Sequence, residues 1–302
     1  MFSYFAYGLG IHSDIDFPAL PTAECPCNVV IRRVPVDMAS LPEGPNAALD
    51  VTADKVVVRA QELGIVTIRD GREIILGLRQ DLDLDFIRDF LLGPVLEALL
   101  HQRGFVVLHA SSVAKDGVAV VFTAYAGSGK STLAAAMNRR GWGVVADDVT
   151  AIDATGQGLP CVYPGLPHLN LWPESVRSLG LDPGSLVPVL PQSRKGIWHT
   201  SAGYVANPAT LRCVCVLSKD EPAGIVRLPP QQAFVSILRN VPVMIARMIA
   251  GTSRELECFP QCTRLAGSVP MYRINQPHTE ESLASVGRLA EQIEETVLGQ
   301  AS

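Results

Sequence analysis

Over the first 80 residues the apolar positions come in short, alternating runs. Asn28 to Val34, Lys55 to Ala60, Ile65 to Arg69 and Glu73 to Leu78 are rich in branched aliphatics and separated by Pro, Gly, Asn and Asp, so the spacing predicts strands joined by turns. From Asp83 to Arg103 the period changes. Phe86, Phe90, Leu91, Val95, Leu96, Leu99 and Leu100 recur at helical intervals, with Pro94 as a kink. Residues 105–163 then read strand, turn, strand, glycine-rich loop, helix, strand, which is the plan of an α/β core. The chain accordingly divides into a small β-rich unit over 1–80, a linking helix over 81–104 and an α/β domain over 105–302. Residues 159–208, rich in Pro and Gly and weakly periodic, are expected to form loops around whatever the core binds. Arg212 to Leu217 and Gly224 to Leu228 predict two more strands. Thr279 to Leu298 predicts an amphipathic helix with Leu283, Val286, Ala290, Ile293 and Val297 on one packing face and Glu280 and Glu281 in its first turn.

Composition narrows the classes. With 302 residues, 48% apolar and 18% charged, the chain can bury a full core, which excludes disorder and coiled coil. Lys plus Arg number 25 against 30 Asp plus Glu, a formal charge of −5 without blocks of one sign, so no basic nucleic-acid footprint exists. Met1 to Phe17 has no basic lead and no unbroken apolar core, and apolar runs such as Val118 to Ala126 are only strand length; neither a signal peptide nor a membrane span is expected, and a cytoplasmic protein is. Seven cysteines include Cys25/Cys27, Cys213/Cys215 and Cys258/Cys262. In a reduced cytosol these stay thiols. Zinc held by two such pairs is the alternative to packing, but the alternation of Leu211 to Leu217 puts both of its thiols on one strand face.

The chemistry concentrates between residues 105 and 150. Ala124-Tyr-Ala-Gly-Ser-Gly-Lys-Ser131 fits the phosphate-loop pattern, with Ala124 in place of its first Gly. It joins the β-branched run Val118 to Thr123 to an Ala-rich helix, Ser131 to Arg140, that stops at Gly141. In that setting Gly127 and Gly129 let backbone amides turn toward an anion at a helix N-terminus. Lys130 would neutralise the β- and γ-phosphates, and the Ser131 hydroxyl would ligate Mg²⁺. The candidate nucleotide contacts are therefore Ala124, Tyr125, Ala126, Gly127, Ser128, Gly129, Lys130, Ser131 and Thr132.

After the helix, Trp142 to Ala146 predicts a short buried strand that a βαβ crossover sets near the first, its end beside the loop. It ends in Asp147-Asp148, two carboxylates placed to face metal and γ-phosphate; with Ser131 they are the candidate metal ligands. Upstream, Asp116-Gly117 between apolar strands predicts a two-residue hairpin turn. Paired residue numbers then add to 233, which puts His109 opposite Ala124 at the mouth of the loop. A carboxylate and an imidazole beside a γ-phosphate point to phosphoryl transfer to a hydroxyl, one Asp taking the proton. Arg194-Lys195 is either a grip on γ-phosphate or acceptor, or a solvated basic pair. Arg239 and Arg247, in an apolar helical stretch, read as structural or interfacial.

His109, the loop at 124–131 and Val145-Ala-Asp-Asp148 together resemble the HPr kinase/phosphorylase family and its diverged "HPr kinase-related" members, whose catalytic domain is similar to the phosphoenolpyruvate carboxykinase nucleotide core. The resemblance covers residues 105–165 well and the remainder in general plan. It implies an α/β P-loop kinase core using ATP and Mg²⁺, a tendency to oligomerise, Asp148 as proton acceptor assisted by His109, Lys130 on the γ-phosphate, Ser131 on Mg²⁺, and Asp147 organising metal or loop. The chain departs from the family at Thr132, where the family has Glu, and at Val162-Tyr-Pro-Gly-Leu-Pro167, which replaces its Glu-Ile-Arg-Gly-Leu-Gly motif. Tyr7-Gly-Leu-Gly10 and the Tyr163 to Pro167 stretch look like related kinases that modify ribosomally made peptides, including lasso precursors at a terminal serine. The implied acceptor is a Ser or Thr hydroxyl of a peptide or small protein. A small-molecule hydroxyl kinase and a nucleotide-binding regulator without transfer are the competing readings.

Overall fold

The computed structural model describes residues 1–36, 41, 48–52, 54–124, 127–188, 194–200, 203–219, 223–242, 245–246, 255–275 and 285–299. Tyr125, Ala126, Arg247, Glu280, Glu281 and Leu283 lie outside the described residues. The chain forms two compact units, Met1–Val107 with Pro242–Pro260, and Leu108–Val241 with Gln261–Ser302. Among the described residues no helix is long and apolar enough to cross a membrane.

The first unit is built on a seven-stranded sheet of β1 (Phe2–Ala6), β2 (Leu9–Ser13), β3 (Val29–Arg33), β4 (Ala48–Val51), β5 (Lys55–Ala60), β6 (Gly64–Arg69) and β7 (Glu73–Leu78). Its order is β1-β2-β3-β7-β6-β5-β4. The pattern at 28–34, 55–60, 65–69 and 73–78 thus marks real strands, while β1 (FSYFA), β2 (LGIHS) and the four-residue β4 lack the run of branched aliphatics that marks the others. Tyr7 and Gly8, at φ 54° and 73°, form the two-residue turn between β1 and β2, so Tyr7-Gly-Leu-Gly10 is a hairpin here. Helices α1 (Leu84–Phe90) and α2 (Leu96–Gln102) follow, with a π-turn at Leu91–Val95 where Pro94 and a non-helical Gly93 bend the axis. Ile87, Leu91, Val95, Leu96, Leu99 and Leu100 are buried. Phe86, expected on that face, is exposed, because the kink rotates the first segment so that Ile87 points inward instead.

Onward along the chain, strands β8 (Val106–Lys115) and β9 (Val118–Thr123) precede helix α3 (Lys130–Arg139), β10 (Gly143–Ala146), β11 (Val149–Asp153), β12 (Cys161–Tyr163), β13 (His168–Leu171), α4 (Pro173–Ser178), β14 (Val187–Pro188), β15 (Gly196–His199), β16 (Ala209–Ser218), β17 (Gly224–Arg227), α5 (Pro230–Arg239), α6 (Glu255–Ser268), β18 (Met271–Asn275) and α7 (Val286–Ile293), most of them in the second unit. β8 and β9 form the expected hairpin about Asp116-Gly117, both at positive φ, and the ladder from Lys115↔Val118 to Ala110↔Thr123 keeps the register sum of 233. β9 pairs with β16, β16 with β12, β12 with β11 and β11 with β8, so five strands close into a ring. β10 adds to the far side of β8, antiparallel, which leaves one strand between it and β9. The crossover from β9 through α3 is therefore one strand wider than the spacing suggested. Residues 159–208 are not merely loops: β13, β15 and β14 make a three-stranded sheet, whose two- to four-residue strands are too short to show a period among so many prolines.

Helix α3 ends as its sequence dictates. Gly141 takes φ 89°, its N–H bonds the Asn138 carbonyl and the Trp142 N–H bonds that of Met137, a Schellman closure. The inner face of α3, Leu133 to Met137, packs with Phe122, Cys213, Cys215, Leu289 and Ile293 in one core. The two thiols of β16 are thus packing groups, and among the described residues no set of three or more His, Cys, Asp or Glu gathers as a metal cluster. α7 docks through Val286, Leu289, Ala290 and Ile293, and Glu294 then accepts from Trp142 Nε1 at 2.6 Å and Arg140 Nε at 2.5 Å. Phe122 is fully buried beneath the start of the glycine loop. Phe122→Ala is expected to lower the unfolding free energy of this unit by about 3–5 kcal/mol, since the ring leaves a cavity that fixed strands cannot close; urea denaturation followed by circular dichroism measures it.

Candidate active site at the glycine loop

The loop after β9 delivers its backbone at a helix start. Gly127 and Gly129 have φ of 75° and 87°. A Cβ at either would meet nothing within 4 Å among the described residues, and the left-handed backbone calls for glycine. Lys130 follows at the first turn of α3, 6% exposed, and its Nζ donates to the Ala124 carbonyl at 3.2 Å. Burial pushes its pKa down, while Asp148 and Asp147 pull it back up.

Asp147 and Asp148 make the connection between β10 and β11, and a tight turn separates their directions. The Val149 N–H reaches back to the Asp147 carbonyl at 2.7 Å, with Asp148 between them at φ 61°. A non-glycine residue in that region stores strain on the order of 1 kcal/mol, which Asp tolerates better than most. Asp147 turns inward, 3% exposed, and accepts three hydrogen bonds: from Ser111 Oγ at 2.5 Å, Ser131 Oγ at 3.0 Å and the Asn170 N–H at 2.7 Å. Burial, and then the neighbouring Asp148, raise its pKa to about 6 despite those donors. Asp148 turns the other way, toward a cavity, and its Oδ2 accepts from Asn170 Nδ2 at 2.7 Å. The expectation that both carboxylates face the same space is therefore corrected. One is a buried brace and the other is presented.

His109 sits where the hairpin register puts it. Its N–H donates to the Asn240 carbonyl at 2.9 Å, and its Nδ1 lies 3.1 Å from the Asp148 carbonyl. A carbonyl only accepts, so Nδ1 carries the proton and Nε2 keeps a lone pair. Burial, with Lys130 next, holds the ring below its usual pKa and therefore neutral at pH 7.

These groups border one cavity of about 360 Å³, lined by His109, Gly127 to Thr132, Asp148, Asn170, Trp172, Glu174, Ser175, Arg194 and Lys195. A second cavity of about 730 Å³ shares Ser128 with it and is lined by Ala124, Asn240, Ser236 and the cations Lys219, Arg239 and Arg273. The buried Arg273 Nε has no hydrogen-bond partner among the described residues.

Compared with known proteins, the chain matches no family model. No curated protein matches its sequence. Among solved structures it is similar to the Hpr(Ser) kinase/phosphatase from Coxiella burnetii, at 13% identity and a TM-score of 0.34, over 65% of this chain and 99% of that one. A likeness that slight assigns no chemistry, and the geometry has to carry the reading.

The structure gathers His109, Gly127, Ser128, Gly129, Lys130, Ser131, Thr132, Asp148, Arg194 and Lys195 around the smaller cavity, and places Ala124 on the larger one. Asp147 touches neither and acts through Ser131. Arg194 is not a free grip: its guanidinium pairs with Glu174 at 2.5 Å. Arg239, read as structural or interfacial, lines the larger cavity. Sequence reasoning missed Asn170, which holds both carboxylates, Ser175, which accepts from Thr132 Oγ1 at 2.8 Å, and Trp172. Ser111 was findable, since it lies two residues from His109 along the same strand face.

Two buried groups near the loop titrate with opposite consequences. His168, in β13, is pushed down to about 4 by burial and then by His199. The unfolded chain binds its proton more tightly, so its contribution to stability is lost as pH falls from about 6.5 to about 4. Asp147, raised from 3.8 to about 6, binds its proton more tightly when folded, and stability is lost as pH rises through that window. The two slopes oppose each other. His168→Gln is expected to remove a slope worth on the order of 3 kcal/mol and leave a protein whose stability falls between about pH 4 and 6; urea midpoints across that range, unchanged from wild type, would count against it.

Proposed function

We propose that this chain is an ATP- and Mg²⁺-dependent phosphotransferase that moves the γ-phosphoryl group onto a Ser or Thr hydroxyl of a peptide or small protein. One observation carries the reading: the Lys130 ammonium, the Asp148 carboxylate and the His109 imidazole border the same cavity, on a floor of backbone from Gly127 to Ser131. Residues 127–131 supply amides at the start of a ten-residue helix, the ordinary seat of a phosphate. The resemblance of His109, the loop and Asp147-Asp148 to the HPr kinase/phosphorylase-related family supplies the class of reaction and, within it, a lasso-type precursor as acceptor.

The donor set also suits Mg²⁺. Ser131 Oγ and the Asp148 carboxylate are hard oxygens beside the phosphate seat, few enough to leave room for phosphate oxygens and water. Held by these residues, the ion would supply charge neutralisation to the donor's phosphates. Asp147 accepts from Ser131 and so orients that hydroxyl.

The chain's own groups then divide the work. Lys130, held by the Ala124 carbonyl, neutralises charge on the transferred group. Asp148 accepts the proton of the acceptor hydroxyl as its oxygen bonds to the γ-phosphorus and the bond to the β-phosphate oxygen breaks. Asn170 fixes the carboxylate that takes the proton, and the neutral His109, donating from Nδ1 to the Asp148 carbonyl, fixes the backbone that carries it. The larger cavity adjoins the Ala124 end of the loop, and its amides and guanidinium groups suit an extended polypeptide segment better than one small metabolite.

Asp148→Asn keeps the size and the tolerance of left-handed backbone while removing the base. It is expected to lower the transfer rate about 10²–10⁴-fold and to leave ATP affinity within a few-fold. Phosphate transfer from labelled ATP to a serine-containing peptide, with ATP binding measured calorimetrically, tests this; undiminished transfer would remove Asp148 from its role.

A further inference from the structure

Within the phosphotransferase reading, the fate of the donor's nucleoside half is open, and the cavity offers one feature for it that the phosphate chemistry leaves unused. We propose that the indole of Trp172 is the platform on which the base of the donor nucleotide stacks, and that the protein therefore uses a nucleoside triphosphate and discriminates against bare polyphosphate.

The glycine loop has two distinct ends. At its first end lie Ala124, the Lys130 Nζ that bonds its carbonyl, and His109 with Asp148. The transferred phosphoryl group belongs there, next to the base that accepts the proton. At its helix end lies Thr132, whose Oγ1 donates to Ser175 Oγ of α4 at 2.8 Å. A triphosphate laid along the loop with its terminal group beside Asp148 sends its α-phosphate and sugar toward Thr132, and hence toward α4. Trp172 immediately precedes α4 and lines the same cavity.

Trp172 differs from the other two tryptophans. Trp142 is 7% exposed in the core and Trp198 is partly buried against it, whereas Trp172 is 41% exposed. Arg194 and Lys195 each sit 5.9 Å from its ring centroid, at the outer reach of a cation–π contact and beyond van der Waals packing. An aromatic face is thus held at the wall of a polar cavity, with two cations poised over it. That combination fits a flat heterocycle joined to an anionic chain, since stacking uses the π-face of the base while the Lys195 ammonium adds positive charge beside the chain. The larger cavity does not compete for the base. It meets the loop at Ala124 and Ser128, short of Thr132, and its wall includes Asn240, whose carbonyl accepts from the His109 backbone N–H, so it opens toward the Asp148 and His109 end.

The test compares ATP with inorganic tripolyphosphate, both with Mg²⁺, on the full chain and its Trp172→Ala and Trp172→Phe variants, by calorimetry and by indole fluorescence. Wild type is expected to bind ATP about 10–100-fold more tightly than tripolyphosphate, the range that base stacking supplies. Trp172→Ala should erase that preference while its tripolyphosphate affinity stays unchanged, which also reports an intact fold; Trp172→Phe should keep most of it. ATP should quench wild-type indole emission and tripolyphosphate should not, and the quench should vanish in Trp172→Phe. An ATP preference that survives in Trp172→Ala, or an equal loss for both ligands, overturns the stacking proposal alone. Failure of wild type to bind either ligand overturns the phosphate-site reading beneath it.

Discussion

A single buried carboxylate organises this site. Asp147 has almost no contact with water, and an isolated charge there would cost several kcal/mol. Its three donors come from three separate pieces of chain: Ser111 on β8, Ser131 on α3 and the backbone of Asn170 on β13. Satisfying one side chain therefore fixes the hairpin, the loop-bearing helix and the small sheet against one another. The donors do not fully cancel the burial, since the pKa still rises to about 6. The residual cost is the physical sign that this carboxylate is kept for what it positions.

From that brace the presented groups follow in sequence. The turn that sends Asp147 inward places Asp148 in left-handed backbone and directs it outward, so two adjacent acids do different jobs. The Asp148 carbonyl then sets the His109 tautomer, and Asn170, already anchored on Asp147 through its amide, spends its side chain on the Asp148 carboxylate. Strain at Asp148 is tolerated because both of its neighbours in space are held from elsewhere. The result is a carboxylate and an imidazole at one end of a glycine loop, with a lysine on the wall of the same cavity.

How much of this the residues announced depends on how local each interaction is. The β8–β9 hairpin rests on two turn residues and an alternating pattern, so its register, and with it the place of His109, could be counted from the chain. The loop and α3 are likewise contiguous, from Gly127 through the Schellman closure at Gly141. Which aspartate is buried was not legible, because it turns on donors 16, 23 and 36 residues away. Asn170 and Trp172 were hidden for a related reason: β13 is four residues long and pairs with β15 across a proline-rich stretch, so no period marks it. The wider crossover to β10 was invisible because β8 inserts between the two strands, a choice made by the sheet and not by the helix that spans it.

The same non-local character shapes the division of the surface around the loop. Charged residues line both cavities, but their settings differ. Around the smaller one every cation has an acid or an aromatic ring at hand: Lys130 has Asp147 and Asp148, Arg194 has Glu174, and Lys195 has the indole of Trp172. Around the larger one Lys219, Arg239 and Arg273 share the lining with Gln231, Gln232, Ser236 and Asn240, and no acid is among the described lining residues. In the proposed transfer the smaller side would take the Mg²⁺-bearing polyanion, its repulsion from Asp148 offset by metal and Lys130, and the larger side would take the acceptor segment.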